Sequence, residues 1–320
     1  MRSISLGAAA LAVFLSAPPS APQRAPVEVV ASIMPVHSLV AGVMQGVGTP
    51  HLLVPGGASP HSFTLRPSDA RRLNAAKAVF WIGPQVESFL ERPLKALAQK
   101  AEVVSLVDAK GVRHLPYRKG GPWEPDADED AHHGARAGGD GHDHGEYGID
   151  GHVWLDPQNA IAMTRAIAAA LGRADPAHKA RYASNADHMV ARLEALDGAL
   201  RTTLAPVKGK HYIVFHDAYH YFDTRYGLTP AGSITVSPEV SPGAKRLVEI
   251  RRRIRRDKAV CVFAEPQFQP KLVGTVIEGT GAKAATLDPL GAALKPGPDA
   301  YFELLRNLAK DLTACLAGTT

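Results

Sequence analysis

The chain of 320 residues alternates short apolar strands with helical segments, and one long helical pattern divides this alternation into two series. Before the division, the runs Val27–Ile33 and Ala78–Ile82 predict strands. After it, the runs His211–Phe215, Ala259–Phe263 and Ala284–Leu287 predict a second set. Strands that alternate with helices are typical of a parallel sheet covered by helices. The sequence therefore predicts an α/β fold of two similar lobes, each built on a parallel sheet.

The long helical pattern predicts a rigid connection between the two lobes. It begins at Asp175, a suitable N-cap, and at Pro176, which suits the first helical position. Apolar residues then recur at spacings of three and four as far as Leu204. A helix of about 30 residues is about 45 Å long. The predicted divisions are an N-terminal lobe over residues 26–174, a connecting helix over residues 175–205 and a C-terminal lobe over residues 206–320.

Residues 1–25 predict a signal peptide followed by a tether. Arg2 precedes the apolar run Leu6–Leu15 and the small residues Ser16–Ala17, which is the order of charge, apolar core and small residues in a secretory signal. The apolar run is too short to span a bilayer, which takes about 20 residues. We therefore expect an exported protein, with a short membrane anchor as the alternative.

Export bears on whether the two cysteines form a disulfide. Cys261 lies in a predicted strand and Cys315 near the end of the predicted last helix. In an oxidising compartment they can form one disulfide, which would stabilise the fold by roughly 4 kcal/mol for a loop of this length. Two buried free thiols are the alternative. So few cysteines exclude both a cysteine-rich zinc module and a small disulfide-stapled scaffold.

A loop over residues 114–151 is acidic and rich in histidine. Its part Glu124–Asp150 contains nine Asp or Glu and one Arg, and it lacks periodic apolar residues. The histidines concerned are His132, His133, His142 and His144. Imidazoles and carboxylates on a mobile chain can bind zinc, but ordering the chain costs conformational entropy. We expect secondary, weak metal binding here, with a plain solvated linker as the alternative.

The densest basic run, Arg251–Lys258, predicts a solvated helix face. Leu247, Ile250 and Ile254 lie at helical spacing on one side, and no aromatic residues interleave for base stacking. The formal net charge is only +5. We therefore expect no nucleic-acid partner.

Three histidines outside the loop lie where a strand should end or a helix should begin. They are His61, His152 and His216, and Asp288 also follows a predicted strand. Ligands of α/β sheets bind beyond the carboxyl ends of strands, and a tight zinc site needs about four ligands on rigid elements. Spacing alone leaves open whether these histidines are metal ligands or ordinary surface and capping residues, because they are far apart in the chain.

The segments around these residues resemble the metal-site motifs of cluster A-I solute-binding proteins of ABC importers. The matching segments are His61 with Leu65–Asp69, His152–Pro157, Phe215–Tyr219, Phe263–Gln267 and Leu287–Leu290. The resemblance runs from about Val27 to Leu316. It implies two lobes with a metal in the cleft between them, a periplasmic location and delivery to a membrane permease. It also implies a binding protein without enzymatic activity, which we expect to be monomeric.

Histidine at the third position resembles the zinc-uptake branch of that family, because manganese binders commonly carry glutamate there. Chemistry agrees, since imidazole suits zinc and manganese prefers oxygen ligands. The His-rich loop and the two cysteines also resemble that branch. The resemblance implies the zinc ligands His61, His152 and His216, with Asp288 or a water as the fourth. Pro60 departs from members that carry glutamate before the first histidine, and a manganese or iron binder remains the alternative.

A second pattern overlaps the third histidine. His216-Asp217-x-x-His220 is similar to the zincin sequence His-Glu-x-x-His, with Asp217 in place of the general base. The segment Asp217–Arg225 predicts a helix. Both histidines would share one face if this helix ran through them, and a zinc hydrolase would follow. Because the segment starts directly at a strand end and aspartate is a shorter base, we expect a binding protein instead.

Overall fold

The structure is a computed structural model that describes residues 27–119, 123, 148–235, 238, 241–268 and 271–318. The predicted signal peptide and tether lie outside the described residues. So do the loop histidines His132, His133, His142 and His144. Within the described part of the chain, no helix combines the length and the apolar character needed to cross a bilayer.

The N-terminal lobe contains a four-stranded parallel sheet with the strand order β2-β1-β3-β4. The strands are β1 (Val29–Ala31), β2 (His51–Leu52), β3 (Ala78–Trp81) and β4 (Glu102–Ser105). The helices are α1 (Met34–Val43), α2 (Pro67–Ala75), α3 (Pro84–Glu87), α4 (Glu91–Leu97) and α5 (Pro157–Ala174). The central strands β1 and β3 are buried throughout, which explains their unbroken apolar sequences.

The C-terminal lobe repeats this arrangement with the order β6-β5-β7-β8. Its strands are β5 (His211–Val214), β6 (Thr229–Ser233), β7 (Cys261–Ala264) and β8 (Lys283–Thr286). Its helices are α7 (His220–Tyr226), α8 (Ala244–Arg256), α9 (Lys271–Ile277) and α10 (Ala300–Leu316). In each lobe the second strand pairs at the outer side of the first, so the two sheets share one topology. The predicted fold of two similar parallel α/β lobes is confirmed.

Strand β6 escaped prediction because its sequence, Thr229–Ser233, contains Pro230 and Gly232. Proline lacks the N–H that a central strand must donate, and glycine weakens a strand. The strand lies at the edge of its sheet, where proline is tolerated, and its register against β5 shifts between Tyr212 and Ile213. An edge position therefore explains a strand with so little strand character.

Helix α6 (Lys179–Leu204) is the connecting helix, and its 26 residues are extended by 3₁₀ turns at Pro176–His178 and Ala205–Val207. It packs against α1 and α5 of the first lobe and against α10 of the second. Asp175 precedes it as predicted, but its side chain accepts a hydrogen bond from Tyr182 at 2.9 Å and caps no backbone N–H. The long connecting helix is confirmed, while the residue boundaries of the lobes stay predictions.

One apolar core runs through both lobes and the connecting helix. Its members include Trp154 of the first lobe, Tyr182 of α6 and Tyr301 of the second lobe. Trp154 also donates its indole N–H to the carbonyl of Pro289 at 2.9 Å, and Tyr301 donates to the Trp154 carbonyl at 2.7 Å. Separating the lobes would expose this core to water, at a cost of about 25 cal/mol per Å² of apolar surface.

A disulfide joins Cys261 of β7 to Cys315 of α10. Both residues are fully buried, and the bond ties the middle of the second sheet to the last helix. The predicted disulfide is therefore confirmed over two free thiols.

A buried carboxyl group joins the ends of the two central strands of the first sheet. Glu87 is inaccessible to solvent, and its Oε2 accepts hydrogen bonds from the N–H groups of Ile82 and Gly83, both at 3.0 Å. Ser32, which follows β1, donates to its Oε1. Burial raises the pKa of Glu87 to about 7, although these hydrogen bonds act in the opposite direction.

The raised pKa makes stability depend on pH. The ordinary glutamate pKa is 4.5, so between pH 4.5 and 7 the unfolded chain loses this proton while the folded chain keeps it. Stability should therefore fall as pH rises through this window, by at most roughly 3 kcal/mol from this group. Glu87→Gln keeps an acceptor and a donor in place without the charge, so it should be more stable than the parent at pH 8 and nearly equal at pH 5.

Urea unfolding of the metal-free protein at both pH values measures this difference. Glu194→Gln, on the exposed face of α6, is the matched control and should follow the parent. Parallel pH profiles for the Glu87 variant and the parent would show that another group titrates.

Candidate metal site

The three predicted histidines meet between the lobes, each in a short segment beyond a strand or before a helix. His61 lies in the turn that follows β2, and its backbone N–H donates to Ser59 at 3.3 Å. His152 precedes the 3₁₀ turn Val153–Leu155, which leads into α5. His216 lies two residues after β5. The site is therefore assembled from both lobes at the carboxyl ends of their sheets.

The three rings have the spacing of a metal centre. One ligand nitrogen from each of His61, His152 and His216 lies within 4.8 Å of the others. The Nε2 atoms of His152 and His216 are 3.4 Å apart. Two nitrogens bound tetrahedrally to one zinc at 2.0–2.1 Å would be separated by about 3.4 Å. These two rings therefore already have the separation that a single zinc ion requires.

Two buried carboxylates orient two of the rings. His216 Nδ1 donates to Glu265 Oε1 at 2.6 Å, and His152 Nδ1 donates to Asp150 Oδ1 at 2.7 Å. The backbone N–H of each histidine points to the same carboxylate oxygen, at 3.3 Å and 3.0 Å respectively. A proton held on Nδ1 leaves the Nε2 lone pair of each neutral ring facing the cluster, which is the arrangement found behind metal-bound histidines.

The electrostatics of His216 follow from these contacts. Burial is the largest influence and lowers its pKa, but the charge and hydrogen bond of Glu265 raise it, and the net pKa of His216 lies above the ordinary value. Glu265 itself is only 3 % exposed. The pair thus places negative charge directly behind the His216 ring in a region of low dielectric, which favours a divalent cation.

Apolar side chains surround the cluster. The cleft is lined by Trp154, Phe268, Pro289 and Leu290 in addition to the histidines. The His152 ring lies 5.2 Å from the Trp154 ring, and the His216 ring lies 6.1 Å edge-on from Phe268. Packing on these faces fixes the ring planes and excludes water from the back of the site.

Asp288, the predicted fourth ligand, does not join the cluster of ligand atoms in the described structure. Its Oδ1 accepts hydrogen bonds from the N–H groups of Leu290 at 3.0 Å and Gly291 at 2.9 Å, and its Oδ2 accepts from Ala292. The carboxylate therefore holds the turn after β8 together. Direct ligation by Asp288 stays a prediction. To bind a metal, the carboxylate would have to break hydrogen bonds to these backbone N–H groups.

The zincin-like pattern is not formed. Helix α7 begins at His220, later than the predicted start at Asp217, so His216 lies outside the helix and the two histidines share no helical face. Asp217 accepts a hydrogen bond from Arg118 at 2.9 Å instead of facing the cluster as a base. The expected helix start is wrong, because the residues after β5 turn to place His216 on the cleft.

Arg118 anchors the base of the acidic loop to this region. Its guanidinium is 12 % exposed and pairs with Asp217 at 2.9 Å and with Asp223 at 2.8 Å. Tyr221 accepts from the N–H of Leu115 and donates to the carbonyl of Asp150. Both ends of the loop are thereby attached to the second lobe beside the histidines. Sequence reasoning missed these contacts because they join residues about a hundred positions apart.

Asp150 and Glu265 were also missed as site residues. Each had a signal in the sequence, since Asp150 stands two positions before His152 and Glu265 stands two positions after the predicted strand Ala259–Phe263. A carboxylate near a metal-binding histidine is a common partner for its second nitrogen, and this rule could have identified both.

Comparison with known proteins gives one consistent result. The family model described as zinc-uptake complex component A, periplasmic, matches residues 29–315. The high-affinity zinc uptake system protein ZnuA of Brucella suis is 47% identical over 313 residues, with 90% of this chain and 91% of that protein covered. The Yersinia pestis protein of the same name is 40% identical over 291 residues, with coverage of 90% and 91%.

Solved structures show the same fold. A crystal structure of ZnuA superposes with a TM-score of 0.72 at 24% identity and covers 90% of this chain and 99% of its own. A mutant structure of the laminin-binding adhesin Lmb from Streptococcus agalactiae gives a TM-score of 0.71 at 24% identity, with coverage of 89% and 99%.

The carboxylate behind His216 gives a prediction. Glu265→Gln preserves an acceptor for Nδ1–H but removes the negative charge, so zinc affinity should fall about ten- to hundred-fold. Competition with a chromogenic chelator measures the change. Glu278→Gln, an exposed residue of the same lobe whose side chain is 81% accessible, is the control and should bind zinc as the parent does. Equal affinity in the two variants would remove Glu265 from the site.

Proposed function

Because this chain belongs to the ZnuA family of periplasmic zinc-uptake components, we propose that it binds zinc with high affinity and delivers the ion to the permease of an ABC importer. The observation that carries the proposal is the convergence of three imidazoles from both lobes on one point, two of them oriented by buried carboxylates. The matching family is described as periplasmic, and we propose a periplasmic location for this protein as well.

We propose His61, His152 and His216 as the zinc ligands. A set of three imidazole nitrogens favours zinc over manganese, which prefers oxygen ligands. Zinc in an all-protein structural site has four ligands, whereas a site with three protein ligands keeps a position for a water. Because Asp288 is held by three backbone N–H groups, we assign the fourth position to a water.

Release of zinc should depend on the short segments of the cleft. The continuous core and the connecting helix oppose a large separation of the lobes. His61 is the most accessible of the three ligands and lies in a turn, while His152 and His216 are 7% and 4% exposed. We infer that zinc enters and leaves on the His61 side.

The remaining features agree with a carrier. We propose a monomer that acts without a nucleic-acid partner and without enzymatic activity. Arginines of the basic helix α8 are occupied locally, since Arg251 and Arg255 donate to the carbonyls of Thr275 and Gly279. We propose secondary, weak zinc binding for His132, His133, His142 and His144.

The ligand assignment predicts a loss of affinity in single variants. His61→Ala and His216→Ala should each weaken zinc binding at least tenfold, because each removes one of three protein ligands. Chelator competition measures this loss, and His188→Ala, on the exposed face of α6, should bind as the parent does. The same competition with Mn²⁺ separates the alternatives, since a parent protein that prefers manganese would overturn the zinc assignment.

The acidic loop predicts a separate class of binding. Deleting residues 124–147 retains Asp150 and the backbone pairing of Pro116 with Ile149. Isothermal titration with zinc should then show the tight site unchanged and the weaker binding removed, because the four loop histidines are gone. Loss of the tight site in this deletion would contradict the division into one tight and one weak class.

A further inference from the structure

Gln267 crosses from the second lobe to the first at the edge of the histidine cluster. It follows β7 by three residues and lines the same cleft as the three histidines. Its Nε2 donates to Asp288 Oδ1 at 3.2 Å and to the carbonyl of Gly56, in the loop that leads to His61, at 3.4 Å. The side chain thus touches a turn of each lobe.

These contacts fix the orientation of the amide. Asp288 Oδ1 and the Gly56 carbonyl are both acceptors, so only the NH₂ group of Gln267 can face them. The amide oxygen must then point the opposite way. The Oε1 atom of Gln267 is buried, and it finds no hydrogen-bond partner among the described residues. A buried acceptor without a donor costs about 1–3 kcal/mol, so such an atom marks a place where a donor is expected.

The loop around Gly56 is tightly packed on the turn that Asp288 holds. A Cβ at position 56 would lie 2.9 Å from the carbonyl oxygen of Ala292. Because both partners of the Gln267 amide are held by close packing or by backbone hydrogen bonds, the amide cannot rotate without breaking contacts in both lobes.

We propose that Gln267 is a positioning residue whose Oε1 accepts a hydrogen bond from the water that fills the fourth coordination position of bound zinc. The inference rests on the proposed function. Water bound to zinc is polarised and is a strong donor, and it would satisfy the buried amide oxygen. Asp288 then contributes to the site through Gln267 rather than as a ligand.

The test compares two substitutions of Gln267. Gln267→Met has nearly the same length and lacks both polar atoms, and it should weaken zinc binding about ten- to hundred-fold. Gln267→Glu keeps an oxygen acceptor, and a proton shared with the facing Asp288 carboxylate would replace the N–H donor between the two side chains, so this variant should bind zinc within threefold of the parent. In the Co²⁺-loaded protein, the visible absorption bands should shift in the Met variant, because they report the coordination of the metal.

Each outcome decides the proposal. If the amide served only to join the two lobes, Gln267→Met would lose affinity without a shift of the Co²⁺ bands, because the coordination of the metal would be unchanged. Unshifted bands or unchanged affinity in the Met variant, or an equal loss of affinity in both variants, would overturn the proposal. Gln158→Met is the matched control, because Gln158 also bridges two elements through its NH₂ group, at 3.3 Å from Asp197, but lies outside the cleft.

Thermal unfolding of the metal-free variants checks that they fold. His216→Ala, measured alongside, keeps this proposal separate from the ligand assignment. A loss in His216→Ala with parent-like binding in Gln267→Met would leave the zinc site in place and remove only the role of Gln267.

Discussion

The metal site depends on two hydrogen bonds from imidazole to buried carboxylate, His216 to Glu265 and His152 to Asp150. Each bond fixes the tautomer of its ring, so that the Nε2 atoms of His152 and His216 face each other 3.4 Å apart. The two carboxylates also place two negative charges behind the rings, and a divalent cation would balance these charges. Buried negative charge is costly, and a doubly charged ion bound by the neutral rings would balance it. Geometry and charge thus favour the same occupant.

Much of the fold could be predicted from the sequence, because its strongest signals are local. The strands β1, β3, β5 and β7 are mostly buried and consist mainly of apolar residues, and the connecting helix shows a long 3.6-residue period. Strand β6 was lost because an edge position tolerates proline and glycine. The start of α7 was misplaced because the turn that presents His216 is stabilised by contacts outside the segment, including the pairing of Asp217 with Arg118.

The candidate site could be predicted only in part. Histidines at strand ends, together with a family resemblance, identified the three residues that converge. The carboxylates behind them were not found, although their positions in the sequence offered a signal. Asp288 was chosen for its chemistry and its place at a strand end, but the N–H groups of the following turn engage it. Such competition between backbone and metal for one carboxylate is set by loop conformation, which a single sequence does not reveal. The orientation of Gln267 likewise depends on Gly56, more than two hundred positions away.

The single core that runs through both lobes has a consequence for how a transporter recognises its cargo protein. When the two lobes of a binding protein close around a ligand, the ligand-bound and ligand-free forms differ in overall shape. Here hydrogen bonds from Trp154 to the Pro289 carbonyl and from Tyr301 to the Trp154 carbonyl join the two lobes. The zinc-bound and zinc-free forms of this protein should therefore have nearly the same surface shape. A permease that accepts only the zinc-bound form would have to recognise the short turn that carries His61. The difference between the two forms would then extend over a few ångströms rather than over the whole molecule.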